Sequence, residues 1–133
     1  MKILSSIILC LACFVSTIAR AEVGETTVID AIGTKPNSSE AVLLLHQMRP
    51  WNKDVLELFV KKLDFYQTVI RSGALEKQRP DLNGKNFRIV VIYAEQPTED
   101  AAQLLTKTQS SMLEQQIILR WGFQKQIPEL VSP

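Results

Sequence analysis

"FRIVVIYAE", residues 87–95, is the stretch on which the fold turns. Its centre, Ile89 to Ala94, is continuously apolar and largely β-branched, which fits a strand buried on both faces in the middle of a sheet. Before it, "RPWNKDVLELFVKKLDFYQTVIRSG" (residues 49–73) repeats Leu56, Phe59, Leu63, Tyr66 and Ile70 at steps of three and four, predicting an amphipathic helix. Asn52 is placed to cap that helix, Asp54 and Arg71 suit its two ends, and Gly73 suits its left-handed stop. The basic pair Lys61-Lys62 is assigned to the solvated side with Lys53, Asp54, Glu57 and Asp64, where Glu57 and Lys61 form an i, i+4 pair. The link back to residue 87 is polar and carries Pro80 and an Asn83-Gly84 turn.

After the central strand, Pro97 breaks the chain and Thr98 can cap a second helix with Ala101, Leu104, Leu105, Thr108 and Met112 on one side. "IILRWGF" (residues 117–123) then alternates Ile117, Leu119, Trp121 and Phe123 against Ile118, Arg120 and Gly122, as a strand does. At the other end, Val28–Ile32 reads as a first strand and Ala41–Met48 as a second. The gap from Gly33 to Ser39 is too short for a helical crossover, so the two form a hairpin, with Gly33 read as a turn glycine of positive φ. The order β-β-α-β-α-β predicts an α+β two-layer sandwich: a four-stranded mixed sheet with two helices on one face, its last two strands parallel. Residues 124–133, broken by Pro128, either pack on the sheet or form a mobile end.

The chain opens MKILSSIILCLACFVSTIARAE. A basic Lys2, an apolar run from Ile3 to Ile18 and the small residues around Arg20 make residues 1–21 a secretory signal cleaved after Ala21, leaving one domain over residues 22–133. The expected compartment is the periplasm. The alternatives are an uncleaved anchor, and a lipid anchor on Cys13, for which Cys10 stands where the lipobox wants a branched apolar residue. Both cysteines precede Ala21, so the mature domain must be stable without disulfides. Taking Lys2 and Arg20 from the 15 basic residues leaves 13 against 14 acidic ones. That near-neutral balance argues against nucleic acid and against an anionic membrane surface as partners.

The combination of "VIDAIGTKP", "AVLLLHQ", Trp51 before a capped helix and "YQTVIRSGALEKQRPDLNGKNFRIVVIY" resembles a family of small bacterial proteins described only as a domain of unknown function. The likeness spans about Thr27 to Trp121. It implies the fold and carries no activity. Members of that family mostly lack an export signal and have an acidic, His-containing stretch before the tryptophan, where this chain reads Gln47-Met48-Arg49-Pro50.

Four residues are candidates for a site. Asp30 interrupts an apolar strand and, in the expected hairpin, falls within a residue or two of His46 across the pair. A carboxylate can orient an imidazole for base work, but the mature chain has one histidine, no cysteine and too few ligands for zinc or copper, so no metal or cofactor is expected. The favoured reading is structural, with Asp30 ending its strand and accepting from the amides of the Gly33-Thr34 turn. Trp51 and Trp121 are either core residues or anchors for a partner. By elimination, the expected function is non-catalytic protein binding, in particular an immunity-type inhibitor of the bacterial envelope. The alternative is a small-ligand or lipid carrier with a cavity lined by Leu44, Phe59, Leu63 and Val91. An open edge at the first strand is compatible with a homodimer.

Overall fold

The computed structural model describes residues 2–3, 6–8, 25–34 and 37–132. The first strand is split at Asp30 into β3 (Val28–Ile29) and β4 (Ala31–Thr34), preceded by short pieces β1 (Lys2–Ile3) and β2 (Ser6–Ile8). There follow β5 (Glu40–Gln47), α1 (Lys53–Arg71), α2 (Ala74–Gln78), β6 (Asn86–Tyr93), α3 (Glu99–Glu114), β7 (Ile117–Phe123) and α4 (Ile127–Leu130). The mixed sheet runs β4-β5-β6-β7, with β2 alongside β4 and β1 alongside β3, both parallel. The rest of the signal-peptide reading, with Cys10, Cys13 and the Ala21 cleavage point, lies outside the described residues.

β4 and β5 are the expected hairpin, antiparallel with Ala31 opposite Leu44 and Thr34 opposite Ala41. The turn glycine is a correction. Gly33 is a strand residue opposite Val42, and among the described residues between these strands it is Asn37 that has a positive φ, at 60°. An asparagine tolerates that conformation better than most, so the turn does not need the glycine. The pairs β5–β6 and β6–β7 are parallel, each joined through a helix. Residues of α1 and α3 share one core cluster with Ile32, Leu43, Leu45, Ile89, Val91 and Leu119, which places both helices on one face. This is the anticipated α+β architecture. The C-terminal residues take the packed alternative: Ile127, Leu130 and Val131 lie on the opposite face against Ala31, Val42, Leu44, Val90 and Ile92.

The ends of α1 follow from local chemistry. Asn52 Oδ1 accepts from the Val55 amide at 2.9 Å, and Ser72 N–H closes the last turn on Thr68 C=O at 2.9 Å. Gly73 follows at φ 78°. Asn52→Ala removes the acceptor for an orphan helix amide and should lower stability by about 1 kcal/mol, read as a reduced urea midpoint at unchanged slope. The buried stripe of α1 is Val55, Phe59, Lys62, Leu63, Tyr66 and Val69, with Leu56 and Ile70 at its half-buried margins. The helix is therefore rotated from its anticipated setting, and that rotation carries Lys62 from the solvated face into the core.

Candidate functional site

The break between β3 and β4 is where the chain concentrates its buried polar groups. At Asp30 the hairpin ladder fails, and β5 is left with a carbonyl at Leu44 and an amide at His46 that need partners. Side chains supply them. The Tyr66 hydroxyl accepts from Asp30 N–H at 2.9 Å and donates to Leu44 C=O at 2.5 Å, standing between the two strands. Asp30 Oδ2 accepts from His46 N–H at 2.6 Å, and Asp30 Oδ1 meets Lys62 Nζ at 2.5 Å. Asp30, Lys62 and Tyr66 are all 0 % exposed. The cluster thus ties β3–β4, β5 and α1 together through one carboxylate, one ammonium and one phenol.

Its electrostatics are those of charge held away from water. Burial pushes the Asp30 carboxyl up to about 6, against the downward pull of the Lys62 ammonium and of the hydrogen bonds from Lys62 and His46 N–H. Burial, and then the Asp30 charge, lift the Tyr66 hydroxyl well above the usual phenol range. A substrate has no path to Asp30 or Lys62 in this conformation, so the pair acts on the fold. Both carboxylate oxygens are engaged by partners that hold the strands in register.

Asp30 and His46 do meet, but mainly through the His46 backbone. The imidazole Nδ1 stands 3.9 Å from Asp30 Oδ2, beyond hydrogen-bond range, on a residue that is 8 % exposed. The Gly33-Thr34 amides anticipated as partners of Asp30 are not the ones it binds, because the strand continues past it instead of turning. Trp51 is buried. Its indole N–H donates to Glu95 C=O at 2.9 Å and its ring meets Phe59 edge-on at 5.1 Å. Trp121 is half-buried and packs on the margin of the helix-side core. Gln47, next to His46, folds back on the following turn, donating to Arg49 C=O and accepting from Arg49 N–H. Among the described residues, no group of three or more His, Cys, Asp or Glu could hold a metal ion, and no helix is long and apolar enough to cross a membrane.

Lys62 and Tyr66 were absent from the sequence-derived candidates. Their signal is present in the sequence: Val55, Phe59, Lys62, Tyr66 and Val69 follow steps of four, three, four and three, so a lysine occupies a core position of the helix. A buried lysine demands a buried carboxylate, and Asp30 is the one inside an apolar strand.

A small α+β domain braced by a buried Asp–Lys–Tyr cluster is the class that fold and site define. The chain belongs to DUF6572, a family of unknown function whose profile matches residues 21–125. No curated protein and no solved structure matches it.

Proposed function

We propose that the protein is an exported, non-catalytic protein-binding domain of the bacterial envelope, of the kind that acts as an immunity-type inhibitor. The observation that supports this best is the use of its ionisable interior. Asp30 and Lys62 are fully buried and paired, so the most heavily charged part of the interior braces the sheet and faces no substrate. The ligand-carrier alternative has less behind it. Phe59, Leu63 and Val91 are packed in the helix-side core, while Leu44 lies on the other side of the sheet, so the four do not line one space.

The test is affinity capture of the tagged full chain, expressed in its own host, from the envelope fraction. The expected result is one protein partner at a stoichiometric level that survives a high-salt wash. Recovery of the chain alone, from cells in which it is abundant and folded, would count against the reading.

A further inference from the structure

The open edge of the sheet is its last strand and not its first. β4 has β2 alongside it, whereas β7 pairs with β6 and, among the described residues, no strand lies on its other side. Two side chains reveal which peptide groups of β7 face outward. Gln109 Nε2 donates to Leu119 C=O at 2.9 Å, and Phe123 N–H donates to Gln126 Oε1 at 2.8 Å. Main-chain groups alternate between the two sides of a strand, so Ile117, Leu119, Trp121 and Phe123 all turn theirs away from β6. In both contacts a side-chain amide stands where the peptide group of a further strand would lie. Between them, the outward N–H of Leu119 and both outward groups of Trp121 have no partner among the described residues. The same side is hollow. A groove of about 340 Å³ lies against it, lined by residues 117–120 of β7 and by Gln109, Ser110 and Leu113 of α3. Leu113, on its lip, is 64 % exposed.

The sequence of the strand indicates what would lie there. IILRWGF carries one charge, Arg120, which is exposed. An antiparallel second β7 can join the outward groups about a two-fold axis at Arg120 or at Leu119. The first choice sets each guanidinium directly against its own copy and needs the Phe123 N–H that Gln126 already holds. The second sets Arg120 against the partner's Ile118, half-buried Trp121 against the partner's Ile117, and Leu119 against itself. It thereby gains an aromatic–β-branched pair on each side of the axis, avoids the like charges, and stops short of Phe123. Leu119 C=O exchanges the Gln109 amide for the N–H of the partner's Leu119, and the added strand covers Leu113 at the groove.

We propose that β7 pairs antiparallel with β7 of a second copy of this chain, about a two-fold axis at Leu119, so that one continuous sheet runs through a homodimer. The proposal is independent of the protein-binding reading.

The test is sedimentation of the full chain over a wide concentration series, with hydrogen exchange of the Trp121 amide followed in the same samples. The expected result is a species of twice the single-chain mass, and a Trp121 amide whose protection rises as that species forms. Ile118→Lys puts an ammonium opposite the partner's Arg120 at two places in the dimer and should weaken association about tenfold. Adding Arg120→Glu to that variant turns both contacts into opposite-charge pairs and should restore it. A chain that stays monomeric, with circular dichroism showing it folded, would overturn the proposal without touching the affinity capture. A dimer that leaves the Trp121 amide unprotected, or that ignores Ile118→Lys, would place the interface elsewhere and overturn it as well. A monomer whose Trp121 amide becomes protected on adding a captured partner would give the edge to a strand of that protein instead.

Discussion

Replacing Lys62 by methionine should destabilise the fold by about 3–5 kcal/mol near pH 7.5, because it leaves the Asp30 carboxylate buried at 0 % exposure without the ammonium now 2.5 Å away. Methionine fills similar volume, so packing contributes little of the loss. Asp30→Asn should cost less, since burial already favours a neutral side chain there and the loss is that one oxygen must serve where two accepted from Lys62 and His46 N–H. The double variant should lose clearly less than the sum of the two, because it removes both buried charges together. Urea unfolding of the four proteins closes this cycle. Additive losses would mean that the pair is incidental to stability.

The pH dependence separates the two single variants. In the native protein the Asp30 carboxyl is raised from 3.8 to about 6, so the folded state holds a proton that the unfolded chain releases between those values. The contribution of this one group is therefore fully favourable below 3.8 and is lost as pH rises through about 6. The size of that loss is about 3 kcal/mol. Without Lys62 the downward pull on Asp30 disappears and its carboxyl rises further. The Lys62→Met defect should then shrink as pH falls from about 7.5 towards 5, since a protonated Asp30 needs no counterion. Asp30→Asn has no such relief, and its defect should persist in acid. Parallel pH profiles for the two variants would sink this account.

How far the sequence could be read depended on whether a residue's environment is set locally. The caps Asn52 and Thr98, the stop at Gly73 and the strand Ile117–Phe123 were all legible, because each follows from neighbours a few positions away. The proximity of Asp30 to His46 was legible too, since hairpin register follows from strand length and turn position. The setting of α1 was not. A stripe centred on Leu56, Leu63 and Ile70 and one centred on Val55, Lys62 and Val69 differ by a modest rotation, and only the second admits a lysine. Hydrophobic periodicity favours the first, and the Asp30 carboxylate that makes the second possible lies 32 residues away. The destination of α4 was partly legible. Val42, Leu44, Val90 and Ile92 make both faces of the two central strands apolar, so something had to lie opposite the helices. What the pattern could not supply was Arg88 as the group that receives it, through the Leu130 and Ser132 carbonyls.

Tyr66→Phe, the deletion of one oxygen atom, should cost about 2–4 kcal/mol, because it strands two buried main-chain groups at once. The hydroxyl is the acceptor for Asp30 N–H and the donor to Leu44 C=O, and Asp30, Leu44 and Tyr66 are each no more than 1 % exposed, so bulk solvent cannot take its place. The ring of the phenylalanine would occupy the same site, which keeps cavity terms out of the comparison. Two measurements together identify the cause. The urea midpoint should fall at unchanged slope, and the Asp30 amide should lose its protection against hydrogen exchange while amides in the β5–β6 ladder keep theirs relative to the lowered global stability. A neutral Tyr66→Phe with the Asp30 amide still protected would mean that β3–β4 can close directly onto β5, and that the phenol only fills the gap. The expected outcome gives the break at Asp30 a different standing: the strand is interrupted so that α1 can be pinned to the sheet by groups that reach the backbone of two strands, and the hydroxyl makes the interruption tolerable.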